Sequence, residues 1–398
     1  MKIIDMRCAV IGKNPIVRIV TDAGISGYGE VESYKPYLKN FVLHLRDALI
    51  GEDPTNVERV MLKIRQRGAF KPWGSAVSVI EHALWDIAGK AAGVPVYKLL
   101  GGKIRDRVRV YNGSIRAPLK GFTPKHYYDD VKKMMALPQG FTIIKQAVAF
   151  HSGMKRDIPN YHYGEQLASA FHGFTDRALM TEQGLSHTIE CVAAMKEAAG
   201  DKIGIALDCG PGFMLQDAIR FARAVEKYNL MWLEDMITGD YIPFVNADVY
   251  REVTQATTTP IHTGEQIYLR QNFKDLIEKK AVRVIGPDPC DVGGIAELKW
   301  IAEYADLHGV MMAPHGTGNG VLGMAALVQV CATLPQNFIA FEYPSGDPPW
   351  WNNIVDGLPN PIVKDGFIEV WDRPGMGIDL NPKKAKKYLL KEDSGFFD

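Results

Sequence analysis

Three acidic residues each close an apolar run: Asp208 ends the stretch at 202–208, Glu234 the stretch at 230–234, and Glu265 the stretch at 260–265. If those runs are neighbouring parallel strands, their carboxyl ends bring the three carboxylates to one point. Mutual repulsion there is costly unless a cation neutralises it. An all-oxygen set without Cys or His suits Mg²⁺, which keeps open positions for a substrate. A second group lies further along, with His315 in Pro314-His315-Gly316 and Asp288 in Pro287-Asp288-Pro289. A carboxylate beside an imidazole fixes its tautomer and raises its basicity, as proton transfer requires. Lys145 and Glu342 sit in two further apolar runs. Lys145 would balance the acids, hold a substrate carboxylate, or act as a base with a depressed pKa. Glu342, kept protonated by its neighbours, would donate a hydrogen bond to a carboxylate oxygen.

Such convergence needs a scaffold. After Gly101-Gly102, β-branched runs begin near Val108, Thr142, Lys202, Leu230, Pro260, Arg283, Val310 and Phe338, with amphipathic stretches between them. Strand, loop, helix and loop recurring eight times fit a (β/α)₈ barrel. A doubly wound sheet is the alternative, but its Gly-x-Gly-x-x-Gly turn is not present. Before the barrel, the residues at 16–31 read as two strands around Asp22-Ala23-Gly24, and those from 36 to 93 read as helical. The interval after the second run is abnormally long, and its insertion at 151–181 contains His151, Lys155, Arg156, Tyr161, His162 and Tyr163. Long loops in compact domains are commonly functional. The loop Phe70-Lys71-Pro72-Trp73, the stretch Gly27-Tyr28-Gly29-Glu30 and Tyr34 are candidates to reach over the barrel mouth and exclude water.

Lys+Arg and Asp+Glu each number 46, so the formal net charge is zero and no long-range field gathers nucleic acid. No apolar stretch approaches a membrane span, and Lys2, Asp5 and Arg7 interrupt any signal peptide, so a cytoplasmic protein is expected. Five scattered cysteines without a C-x-x-C pair argue for buried free thiols. The expected partner is a small-molecule carboxylate.

The residues also carry a family likeness over nearly the whole chain. Gly27-Tyr28-Gly29-Glu30, the stretch at 83–102, WLED at 232–235, TGEQ at 263–266, PDPCDVGGI at 287–295 and APHG at 313–316 resemble the enolase superfamily, mandelate racemase/muconate lactonizing enzyme group. Within that group the chain looks most like the acid-sugar dehydratases (galactonate/mannonate dehydratase-like). The resemblance implies an α/β fold, a modified TIM (β/α)₈ barrel over 106–345 with an N-terminal α+β capping domain over 1–105, and a segment over 346–398 that returns to the cap. It implies one Mg²⁺ per subunit on Asp208, Glu234 and Glu265, a His315–Asp288 dyad, abstraction of the proton α to a carboxylate, and a homo-oligomer.

Two departures bear on the substrate. The racemase pattern Lys-x-Lys reads Lys145-Gln146-Ala147 here, and the dehydratase histidine two residues after the first metal acid is Gly210. Racemisation needs bases on both faces, whereas β-elimination needs one base and one acid, so the first departure favours a dehydratase. In mannonate dehydratases a tyrosine and an arginine follow the second strand, which nominates Tyr161 or Tyr163, with Arg156 close by to ease ionisation of the phenol. The expectation is thus an Mg²⁺-dependent dehydratase of an aldonate or aldarate giving a 2-keto-3-deoxy acid. Substrate would be bound by Arg156, Glu342, Tyr34 and Trp73. An epimerase, racemase or cycloisomerase with Lys145 as opposing base, and a non-catalytic metal- and acid-binding homologue, are the alternatives.

Overall fold

The computed structural model describes residues 1–32, 35–68, 73–113, 119–164, 178–237, 245–316, 320–348 and 350–398. Strands β1 (Ile3–Ile11), β2 (Asn14–Thr21) and β3 (Ser26–Glu30) form an antiparallel sheet in the order β1-β2-β3. The reversal between β2 and β3 uses Gly24 at φ +74°, a conformation glycine adopts without penalty. Helices α1 (Leu38–His44), α2 (Val57–Ile64) and α3 (Gly74–Ala92) share a buried apolar cluster with this sheet. Helix α3 stops at Gly93, which takes the left-handed conformation at φ +68°. Strand β3 lies so close to α3 that a Cβ on Gly27 or Gly29 would overlap the carbonyl of Ala83 or Val79. The Gly-x-Gly pattern at 27–29 therefore serves packing.

The barrel strands are β4 (Arg107–Gly113), β5 (Ile143–Ala147), β6 (Gly204–Asp208), β7 (Leu233–Glu234), β8 (Ile261–Thr263), β9 (Val284–Ile285), β10 (Met311–Met312) and β11 (Phe341–Pro344). They pair in parallel in the order β10-β9-β8-β7-β6-β5-β4-β11. The ring closes where Met312 N donates to Asn337 O (2.9 Å) and Ile339 N to Met312 O (2.8 Å). Helices α4 (Pro124–Met135), α5 (Glu182–Ala199), α6 (Leu215–Ala224), α7 (Ala247–Ala256), α8 (Lys274–Glu278), α9 (Ile295–Leu307) and α10 (Val321–Cys331) alternate with the strands. This is the modified TIM barrel with an N-terminal α+β element that the sequence predicts.

Strand periodicity positions the site. Ile143, Ala206, Trp232, Ala313 and Ala340 belong to one small apolar cluster inside the barrel. Two residues further along each chain come Lys145, Asp208, Glu234, His315 and Glu342, on the same face and nearer the carboxyl end. The residues after β11 touch both halves: Phe367–Glu369 pairs antiparallel with β4, while Val10 N donates to Asp393 Oδ2 (3.0 Å) and Met376 N to Asp86 Oδ1 (2.9 Å). All five cysteines are free and buried. Among the described residues no helix is long and apolar enough to cross a membrane.

Candidate active site

The register Asp208↔Glu234 between β6 and β7, and Ala147↔Asp208 between β5 and β6, aligns the strand ends that carry the acids. Lys145 is fully buried and donates to Glu234 Oε1 at 2.7 Å, with Glu342 Oε1 at 3.1 Å and Asp208 Oδ2 at 3.7 Å. Burial alone would favour a neutral amine, but Glu234 and Glu342 outweigh it and hold the pKa of Lys145 well above the ordinary value. With these acids around it Lys145 stands as their counter-charge. Burial pushes Glu234 up to about 8, against the pull of Lys145 and with the repulsion of Asp208, Glu265 and Glu342. Trp232 Nε1 donates to the other Glu234 oxygen (2.8 Å), fixing the carboxylate, and His262 stacks on the indole with centroids 5.3 Å apart.

The donor set fits a hard cation. Oxygens of Glu234, Asp235 and Glu265 lie within 4.8 Å of one another. Asp208 Oδ1 and Glu342 Oε1 and Oε2 are buried, facing His151 Nδ1 (3.0 Å), Lys145 Nζ (3.1 Å) and His315 Nε2 (3.4 Å) respectively. Asp235 was not anticipated from the sequence; its backbone is left-handed (φ +49°), and its Oδ1 accepts from Thr263 Oγ1 at 2.6 Å. Thr263 thus holds an Asp235 oxygen, and His151 Nδ1 lies 3.0 Å from Asp208 Oδ1.

His315 Nδ1 faces Asp288 Oδ2 at 2.5 Å, while Nε2 lies 3.4 Å from Glu265 Oε2 and 3.4 Å from Glu342 Oε2. Burial favours the neutral ring, but Glu265 and Glu342, with Asp288, outweigh it and raise the pKa well above the ordinary histidine value. Asp288 also accepts from Cys290 N (2.7 Å), which fixes the carboxylate that fixes the ring.

A second imidazole stands on the other side of the ring of strands. His151 Nδ1 lies 2.8 Å from Gly210 O and 3.0 Å from Asp208 Oδ1. It ends the short turn Ala149–His151 after β5, which is strapped to β6 by Val148 N donating to Asp208 O (2.8 Å) and Phe150 N to Cys209 O (3.1 Å). Ala149 is held at φ +49°, an unusual conformation for a residue with a Cβ. Burial opposes the charge on His151, but Asp208 and the Gly210 carbonyl outweigh it and raise the pKa. Position 210 has no room for a side chain, because a Cβ there would overlap the Asp235 carbonyl. His151 thus brings an imidazole to the Gly210 carbonyl from the preceding loop.

The tyrosines anticipated as acid–base groups lie elsewhere. Tyr161 is buried, its hydroxyl shares a hydrogen bond with Thr188 Oγ1 (2.8 Å), and burial pushes the phenol far up. Tyr163 is exposed, with its backbone N–H on Leu179 O (2.9 Å). Arg156 is exposed and paired with Asp157 at 2.7 Å. Trp73, 43% exposed beside the start of α3, stacks on Phe41 with centroids 5.2 Å apart. Tyr34 and Phe70 lie outside the described residues. Of the predicted set the structure brings together Lys145, Asp208, Glu234, Glu265, Asp288, His315 and Glu342. To these it adds His151, with Asp235, Trp232 and His262 behind the acids.

A barrel with carboxylates on successive strand ends and a His–Asp pair on the sixth and seventh strands agrees with the sequence comparisons. Residues 7–101 match the mandelate racemase/muconate lactonizing enzyme N-terminal domain, and residues 134–384 match the enolase C-terminal domain-like family. The chain belongs to this family, within the enolase superfamily. It is 32% identical over 396 residues to a D-xylonate dehydratase of Haloferax volcanii, covering 96% of this chain and 86% of the relative. It is 30% identical to a D-mannonate dehydratase of a Caulobacter species, covering 98% and 96%. The crystal structure of a mandelate racemase/muconate lactonizing enzyme-like protein from Rubrobacter xylanophilus superposes with a TM-score of 0.82 at 30% identity, covering 98% of each chain.

Proposed function

We propose that the protein is a sugar-acid dehydratase, a carbon–oxygen lyase that removes the proton α to a carboxylate and eliminates the β-hydroxyl to give a 2-keto-3-deoxy acid. The observation that carries this reading is the pair of imidazoles, His315 and His151, on opposite sides of a buried carboxylate cluster. Elimination needs one base and one acid, and two proton-transfer groups across a metal-ready site supply both. Relatives named as dehydratases of xylonate and mannonate, aligned over nearly the full chain, support a polyhydroxy acid as substrate.

Asp208, Glu234 and Glu265 would hold Mg²⁺. Bound there, it supplies positive charge where the enediolate becomes negative and draws the charge of Glu265 away from His315. His315 removes the α-proton at Nε2, with Asp288 fixing Nδ1–H. His151, which stands 3.0 Å from Asp208 Oδ1 on the other side of the site, would deliver a proton to the departing hydroxyl. Lys145 offers its ammonium to the substrate carboxylate, and burial of Lys145, Asp208, Glu234, Asp288 and His315 excludes competing water.

Incubating the protein with Mg²⁺ and a panel of aldonates and aldarates, followed by a keto-acid assay, tests the reading. A 2-keto-3-deoxy product from at least one member is expected. Deuterium-exchanged substrate without a keto acid would mean an epimerase, and tight binding without product would mean a non-catalytic acid-binding protein.

A further inference from the structure

Two buried carboxylates of the N-terminal region reach into the barrel at the points where the proposed dyad is held. Helices α9 and α10 begin after the loops that carry Asp288 and His315, and their N-cap residues, Gly294 and Gly320, have no side chain with which to cap. The exposed N–H groups of a helix start need an acceptor, and an anion there is favoured by the helix dipole.

Glu81, on α3, provides the acceptors for α9: Oε2 receives Ile295 N at 2.8 Å and Oε1 receives Ala296 N at 3.0 Å. Glu30, at the end of β3, serves α10, where Oε2 receives Leu322 N at 2.9 Å and Asn14 holds Oε1 at 2.7 Å. Each carboxylate occupies the space that a Cβ on the N-cap glycine would fill. Both glutamates are fully buried. Further bonds from the same region reach the Asp288 loop: His82 Nε2 lies 3.0 Å from Pro289 O, Cys290 Sγ donates to Glu30 O (3.5 Å), and Ser78 Oγ receives Gly293 N (2.9 Å).

We propose that Glu30 and Glu81 are positioning residues for the His315–Asp288 dyad, which they hold in register by capping α10 and α9 from the other half of the molecule. This rests on the dyad reading above. Neither glutamate is placed to touch the substrate; each acts through the backbone of the loop it fixes. A displacement near 1 Å is enough to slow proton transfer about 100-fold. Removing a cap acceptor therefore lowers kcat while leaving KM nearly unchanged.

The test uses the full-length protein with Mg²⁺ and the best aldonate of the panel, at a temperature where every variant is folded. Glu30→Gln and Glu81→Gln keep one acceptor oxygen and are expected to lower kcat about 10-fold, and Glu30→Ala about 100-fold, with KM within about threefold. Hydrogen exchange of the substrate-free protein supplies a second readout: Glu30→Gln raises exchange at 320–325 and Glu81→Gln at 286–298. Variants that melt earlier but keep kcat within twofold, or that show unchanged exchange in these segments, would overturn the proposal. His315→Asn with retained turnover would instead overturn the dyad reading beneath it.

Discussion

His151 and Tyr161 are only ten positions apart in one insertion, yet the first faces the acid cluster and the second faces the core. His151→Asn is expected to lower kcat by about 10²- to 10⁴-fold, the usual worth of a positioned acid or base. Tyr161→Phe is expected to retain turnover and to lose roughly 1 kcal/mol of stability with its hydrogen bond to Thr188. Steady-state kinetics beside urea unfolding separate the two; the opposite pattern would return the acid–base role to the phenol. The carboxylates make a matching prediction. Mg²⁺ at about 100 times its Kd stabilises a protein that binds it only when folded by about 2.7 kcal/mol. The corresponding rise in Tm is expected to vanish in Glu265→Gln. At this scale the sequence reveals the acids, because strand-end position and a period of two place Asp208 and Glu234 on one face. It does not reveal His151, whose approach depends on a left-handed Ala149 and two backbone bonds to β6 that no residue spacing encodes.

Whole elements were legible where periodicity was strong. Eight apolar runs at near-regular intervals become eight parallel strands, and the interrupted helical pattern before them becomes α1, α2 and α3. The glycines are less transparent. The stretch Gly27-Tyr28-Gly29-Glu30 is a candidate to reach over the barrel mouth, yet Gly29 lies inside β3 against the Val79 carbonyl of α3. Gly29→Ala must therefore push β3 and α3 apart, and is expected to destabilise the fold by about 1–3 kcal/mol, the range for overpacked cores. Unfolding in urea would show this as a lower midpoint at unchanged slope. Gly210 acts in the same way on the chemistry. Its closeness to the Asp235 carbonyl excludes a side chain, so the imidazole must arrive from the neighbouring loop. The length of the insertion draws attention to the loop after β5, but length says nothing about which of its residues turns inward.

The two halves of the molecule are joined through buried acids, and this makes its stability depend on pH. Burial pushes Glu30 and Glu81 up to about 7, from an unfolded value near ~4.3. Between those values the folded protein keeps protons that the unfolded chain has released, so these two groups lower stability as pH rises through that window. His82 acts in the opposite sense, since burial holds it down to about 4 and the unfolded chain alone takes up its proton as pH falls from ~6.5. A Glu30→Gln/Glu81→Gln double variant keeps only the second effect. Its Tm relative to wild type is expected to improve steadily from pH 5 to pH 7 in a thermal-unfolding series; a constant offset would show that the carboxyls do not titrate in that window. The overall neutrality of the sequence hid this arrangement, because the acids are concentrated at the barrel mouth and along the seam.

The central claim is that the paired imidazoles carry out elimination on a polyhydroxy acid. Proton NMR of the aldonate and aldarate panel, each member incubated with the protein and Mg²⁺ in deuterated water, tests it most directly. The account predicts a 2-keto-3-deoxy acid carrying deuterium at C3 in the wild-type reaction, absent with His315→Asn and strongly reduced with His151→Asn. Return of a substrate or its epimer deuterated at C2, without any keto acid from the panel, would contradict it.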